Sequence, residues 1–249
     1  FSGQSEFQKV DIFDTESMGR VLTLDGLMMT TERDEFYYHE MISHIPMMSH
    51  KNPESVLVIG GGDGGTIREV LKHDTVKKVV LCEIDGMVVD ACKKYLPTIG
   101  CELDNPKVEV KIEDAIEFIK DKKACYDVIL IDSTDPMGPG EGLFTEEFYT
   151  NVKEALKQGG IMAAQSESPF INQAEMKKMY PLLRKVFPIV DTFTGPIPSY
   201  PGGYWSWCFC SETVSPFDYL DEERAEKITK QCKIYNKEYH IARFALPNF

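Results

Sequence analysis

Strands and helices alternate so regularly from Val56 onward that this alternation limits the possible folds of the 249-residue chain more than any other feature. Apolar runs of strand length at 56–59, 78–82, 108–112, 127–131 and 161–165 are separated by helix-patterned segments at 66–73, 86–95, 115–120 and 146–156. Parallel neighbours need a crossover, usually a helix, so the pattern predicts an α/β fold with a parallel, doubly wound, Rossmann-like sheet. Two further stretches, 189–193 and 204–210, are joined by a segment rich in glycine and proline and predict an antiparallel pair closing the sheet.

Ahead of this lies a different pattern. Residues 7–13 and 20–24 alternate apolar and polar side chains, and Asp25-Gly26 is a hairpin turn into 27–30. A small N-terminal antiparallel β domain is expected. Thr31 to Asp34 resembles a capping signal for a helix from Glu35 to about Ile45, which carries Tyr38 and His39. The expected division is 1–50 for the small domain with its helix and 51–249 for the Rossmann-like domain. The tail from Asp221 predicts a helix and an extended end.

The first strand of the alternating region runs into Gly60-Gly61-Gly62-Asp63-Gly64-Gly65. Glycines there let the backbone turn sharply and let a ligand come close. Gly60, Gly62 and Gly65 fit the G-x-G-x-x-G of dinucleotide folds, in which a helix N-terminus holds a pyrophosphate. Asp63 argues against phosphate, because like charges at about 4 Å cost roughly 4 kcal/mol at an effective dielectric near 20. The loop suits a cationic ligand, or else Asp63 simply caps the next helix.

Three more strands end in acids: Glu83, then Glu113-Asp114, then Asp132-Ser133-Thr134-Asp135-Pro136. Ligands of open parallel sheets bind at the carboxyl ends of the strands, so four acidic ends form one site. Glu83 stands 20 residues after Asp63, where an acid accepts from ribose hydroxyls. Asp114 or its neighbouring backbone can read an adenine amino group. A nucleoside beside a cation is the chemistry of S-adenosylmethionine.

The net charge of −13, from 27 basic and 40 acidic residues, disfavours nucleic acid and anionic membranes and favours small cations. Seven scattered cysteines, never spaced C-x-x-C, suggest free thiols in a cytoplasmic protein. No apolar run approaches the ~20 residues of a membrane-spanning helix, and the first residues carry no signal-peptide pattern. The chain does not open on Met, so it is expected to begin partway through a longer natural chain.

Together, Gly60-Gly61-Gly62-Asp63-Gly64-Gly65, Glu83-Ile84-Asp85, Asp132-Ser133-Thr134-Asp135-Pro136, Tyr200-Pro201-Gly202-Gly203 and Phe244-Ala245-Leu246-Pro247 resemble the spermidine synthases, polyamine aminopropyltransferases, over nearly the whole chain. The resemblance implies transfer of the aminopropyl group of decarboxylated S-adenosylmethionine, a co-substrate, to putrescine, with no metal and no further cofactor. It places Gln8, Gly60, Glu83, Asp114, Ala115 and Pro139 around the nucleoside. It places His39, Asp63, Asp132, Ser133, Thr134, Asp135, Gln165, Glu167 and Tyr200 around the amines, with Asp132 as base and Tyr38 orienting the nucleophile. Met29 stands where many members have Gln, so a thioether is expected against the nucleoside. The glycine- and proline-rich stretch from Asp135 to Leu143 is expected to act as a lid. Cys208 and Cys210 are expected to pack within a strand, and Trp205 and Trp207 to be core or pocket wall.

Partners implied are small molecules and further copies of the chain, as a homodimer or homotetramer. Other readings stay open at this stage: a methyltransferase acting on a small molecule, a transferase preferring agmatine or cadaverine, and a sensor that binds without turnover.

Overall fold

The computed structural model describes residues 1–135 and 138–248, residues 138 and 139 by backbone alone. A four-stranded antiparallel sheet comes first, built from β1 (Ser2–Gln4), β2 (Lys9–Thr15), β3 (Gly19–Leu24) and β4 (Leu27–Thr31) in sequential order. The predicted hairpin at Asp25-Gly26 is present, both residues taking positive φ as the tight turn requires. The three-residue edge strand β1 is not evident from the sequence, because so short a run carries no periodicity.

Seven strands form the main sheet: β5 (Ser55–Gly60), β6 (Lys78–Glu83), β7 (Val108–Ile112), β8 (Tyr126–Asp132), β9 (Leu156–Gln165), β10 (Ile189–Pro196) and β11 (Tyr204–Ser211). Their order is β10-β11-β9-β8-β5-β6-β7. The first five are parallel to one another, and β10 and β11 close the sheet as the predicted antiparallel pair. Residues of β5 are buried on both faces, Leu57 and Ile59 in one core cluster and Val56 and Val58 in another, as expected of a central strand covered by helices on both sides.

The helices are α1 (Phe36–Ser49), α2 (Gly65–Leu71), α3 (Gly86–Tyr95), α4 (Ala115–Lys120), α5 (Glu146–Ala155), α6 (Gln173–Val186), α7 (Glu222–Thr229) and α8 (Lys237–Arg243). Two expectations need correction. Helix α1 runs through Pro46 rather than stopping near Ile45, because its last turns are held by packing and Pro46 itself is inside the helix. The capping signal at Thr31 to Asp34 also does not cap: the cap position is Glu35, with no side-chain cap bond, while Thr31 Oγ1 donates to Asp34 Oδ1 at 2.6 Å. Helix α6 was not predicted.

The C-terminal tail fixes α1, and α1 carries Tyr38 and His39. Glu40, 1% exposed, accepts from the backbone N–H of Lys233 at 2.7 Å, of Ile234 at 2.9 Å and of Tyr235 at 2.8 Å. Arg224 of α7 donates to the carbonyls of His50 at 2.9 Å and Met47 at 3.0 Å, holding the other end of the helix. Glu40→Ala strands those three donors and should lower the unfolding free energy by about 2–4 kcal/mol in a denaturant titration; a loss of about 0.5 kcal/mol or less would show that the tail does not hold α1 through this carboxylate.

Candidate active site

One cavity opens at the carboxyl ends of β5, β6, β7 and β8, where the acids were expected to converge. Gln8, Met29, Tyr38, His39, Gly60, Asp63, Glu83, Asp114, Ala115, Asp132, Ser133, Thr134 and Tyr200 all line it. Trp205 and Trp207 do not: both are buried behind it, Trp207 stacked on Phe193 and packed against Tyr38, Trp205 edge-on to Tyr200. Cys208 and Cys210 are buried strand residues as expected, and all seven cysteines are free thiols.

At one end stands Glu83, 9% exposed, its Oε1 accepting from the Asp85 backbone N–H at 3.0 Å. Burial pushes this carboxyl up to about 7 against the pull of the Gly62, Ile84 and Asp85 N–H groups, and the Asp85 charge adds to the rise. Asp114 caps α4 by accepting from Ile116 N at 2.8 Å, and Asp63 accepts from Gly65 N at 2.7 Å. Capping and lining the site had been weighed as alternatives for these acids. For Asp114 both hold at once, because a carboxylate has two oxygens and one suffices for the backbone, whereas the cap position of α2 is Gly64, next to Asp63. Gln8 reaches the site through Asp85, to which its Nε2 donates at 3.1 Å.

At the other end Asp132 accepts from Thr66 Oγ1 at 2.6 Å and faces Tyr38. Burial and the Asp63 charge raise its pKa, while His39, Thr66 and Tyr38 pull it down. Burial and the charge of Asp132 push the Tyr38 phenol well above its ordinary range, so it enters the site as a neutral hydroxyl. His39, 2% exposed, lies with Nδ1 2.6 Å from Glu35 Oε2 and Nε2 3.4 Å from Asp63 Oδ2. Gly65 makes room for that ring, since a Cβ there would stand 2.2 Å from His39 Cε1. The Tyr200 hydroxyl donates to the Met29 carbonyl at 2.8 Å, so toward a ligand its oxygen can act only as an acceptor.

Three of the expected amine residues lie elsewhere. Asp135 and Glu167 line a second, acidic cavity with Glu141 and Glu175. Gln165 lines neither cavity; it is buried between residues of the two, its Nε2 3.5 Å from the Thr134 carbonyl and 3.3 Å from Glu167 Oε1. Burial, followed by the Asp135 charge, pushes Glu167 up to about 8. The side chain of Pro139 and residues 136 and 137 of the expected lid lie outside the described residues, whereas Gly140 and Leu143 line the first cavity.

Glu35, Thr66 and Arg68 belong to the site and were missed. Glu35 stands one helical turn before His39, a spacing that could have signalled the pair; nothing in the sequence announces Thr66 or Arg68. Among the described residues His44, Glu69 and Cys232 have metal-ligand spacing. Glu69 is already paired with Arg68, Lys72 and His44, and burial pushes the Cys232 thiol up, so hydrogen bonds satisfy the group as it stands.

The spermine/spermidine synthase domain model matches residues 35–219, and the spermidine synthase tetramerisation domain model matches residues 1–32. The chain is 50% identical over 250 aligned positions to the polyamine aminopropyltransferase of Thermotoga maritima, covering 100% of this chain and 84% of that one. It is 49% identical over 251 positions to the polyamine aminopropyltransferase of Alkaliphilus metalliredigens, covering 100% and 88%. A crystal structure of spermidine synthase in complex with the transition-state analogue AdoDATO superposes with a TM-score of 0.98 at 50% identity, covering 100% of this chain and 85% of that one.

A Glu83 carboxyl near 7 has a testable consequence for any ligand that donates vicinal hydroxyls to its anion. Such a ligand needs the ionised form, so its affinity should rise as pH rises from 6 to 8, by roughly tenfold for a pKa of about 7. Calorimetric titration with adenosine should show this, and Glu83→Gln should bind more weakly and lose the slope. A slope of the opposite sign, or one kept by Glu83→Gln, would contradict the assignment.

Proposed function

The chain belongs to the spermine/spermidine synthase family, and from that membership and the chemistry of the cavity we propose that it transfers the aminopropyl group of decarboxylated S-adenosylmethionine to putrescine. The products are spermidine and methylthioadenosine. The observation that carries the reading is the single cavity with a ribose-type acid, Glu83, at one end and the pair Asp63 and Asp132 with Tyr38 at the other. A nucleoside that carries two positive charges, sulfonium and ammonium, fits that order of acids.

In this reading Glu83 accepts from the ribose hydroxyls, Asp114 and the Ala115 backbone meet the adenine, and Asp63 holds the aminopropyl ammonium. The acceptor enters as an ammonium, which with a reference pKa near 10.4 is neutral about once in 2,500 at pH 7, equivalent to roughly 4.6 kcal/mol of barrier. Asp132 takes that proton. Its burial and the nearby Asp63 charge raise its proton affinity, which suits a base acting on an ammonium. The freed nitrogen lone pair attacks the aminopropyl carbon bonded to sulfur, the C–S bond breaks, and its electrons neutralise the sulfonium. The sulfonium carries its own leaving group, so the chemistry asks of the protein only alignment and a base.

Asp135, Gln165 and Glu167, which adjoin the first cavity at Thr134, would hold the distal ammonium of an acceptor whose other nitrogen lies at Asp132, and putrescine rather than agmatine or cadaverine is the proposed substrate. The protein is proposed to be cytoplasmic and to assemble through its N-terminal sheet, where Phe13, Leu27 and Met28 are exposed at 47%, 48% and 37%. A sheet that small, with apolar residues outside, needs a partner surface.

Product analysis tests the proposal. With decarboxylated S-adenosylmethionine and putrescine the expected products are spermidine and methylthioadenosine in equal amounts, and with S-adenosylmethionine no methylated amine. A methylated amine, or binding of both ligands without turnover, would overturn it.

A further inference from the structure

The His39 ring is bracketed by two carboxylates, Glu35 against Nδ1 and Asp63 against Nε2. Ionised carboxylates only accept hydrogen bonds, so a ring that donates to both carries a proton on each nitrogen and is a cation. Glu35 is itself held from behind: Arg68 Nη2 donates to the same Oε2 at 2.7 Å, while Arg68 Nε reaches Glu69 Oε1 at 2.9 Å. The result is a row of alternating charges, Glu69, Arg68, Glu35, His39 and Asp63, that ends beside Asp132. The ring cannot turn away, with Gly65 beneath it and Tyr38 edge-on at 5.5 Å.

Two carboxylates in one half-buried pocket repel, and the usual outcome is that one of them keeps a proton. A protonated Asp132 could not act as base, and a protonated Asp63 could not hold an ammonium. A cation fixed against Asp63 removes the conflict without occupying the cavity. We infer that Glu35, held by Arg68, is a positioning residue that keeps the His39 ring a fixed cation, and that this cation favours the ionised form of Asp132 in the empty pocket. The inference rests on the reading of the pocket as an aminopropyl-transfer site, but its first half concerns only the state of one ring.

Charges around the ring agree with this. Burial alone would lower the His39 pKa; Asp63 and Glu35 reverse that and raise it well above the ordinary histidine range. Burial would raise Glu35, yet His39 and Arg68 hold it down at about 2. The titratable groups facing the ring are Glu35 at the cap of α1, Tyr38 within it, Asp63 from the glycine loop and Asp132 from the end of β8, with Arg68 of α2 acting through Glu35.

The test is nitrogen NMR of the histidine rings in the free enzyme, paired with the pH profile of kcat/KM for the acceptor. In the parent protein His39 should be doubly protonated at pH 8. In Glu35→Gln the ring should be neutral at that pH, and the acid limb of the profile should move up by about one pH unit, because Asp132 loses the cation that lowers its proton affinity. Glu35→Asp should restore both readouts in part. His39→Gln, which removes the cation without touching Glu35, should move the acid limb the same way and serves if Glu35→Gln does not fold. A neutral His39 ring at pH 8 in the parent would overturn the inference, and so would an acid limb unmoved in the variants that fold. If the protein does not turn over the proposed substrates at all, the proposed function fails, while the NMR titration still decides whether Glu35 fixes the ring.

Discussion

Two parallel strands, β5 and β8, end side by side at the same level, and the site depends on that register. Gly60 is the register partner of Asp132, and at φ +74° it turns the chain away from the sheet where a Cβ would stand 2.3 Å from the Asp132 carbonyl oxygen. The glycine loop and the proposed base are therefore one unit: the turn that starts α2 can form only because nothing projects toward β8. Shifting the pairing by one residue would turn Asp132 from one face of the sheet to the other.

Acids collected at strand ends must be kept useful despite burial, and the protein does this differently at the two ends of the cavity. Glu83 is held by backbone N–H groups, and burial raises its proton affinity toward neutrality. Asp63 and Asp132 have a cation beside them and a hydroxyl, Thr66, on the second acid. An end that only accepts from hydroxyls can tolerate partial protonation. The other end, which in the proposed reaction takes a proton and holds an ammonium, cannot.

Much of this was legible in the sequence because it is local. The alternation of strands and helices gave the parallel sheet, and the acids that follow apolar runs gave the site, since a strand end and its next residues are neighbours in both chain and space. What stayed hidden is non-local. Thr66 meets Asp132 across 66 positions of sequence, Arg68 meets Glu35 across 33, and the tail grips Glu40 from more than 190 residues away. Helix α6 was missed because Pro181 lies inside its pattern and its buried stripe is narrow, with Met179, Tyr180 and Leu183 buried. Helix α1 was cut short for the same reason, a proline whose cost is met by tertiary packing.

The account turns on Asp132 accepting the proton of the attacking amine. A pre-steady-state pH series on Asp132→Asn measures this directly, because Asn keeps the size and one acceptor oxygen but cannot take a proton. The single-turnover rate at neutral pH should fall by about 10²–10⁴-fold and climb steeply toward alkaline pH, as free amine becomes available without help. A near-parental rate at neutral pH, or a residual rate that ignores pH, would contradict the account and move the base elsewhere in the cavity.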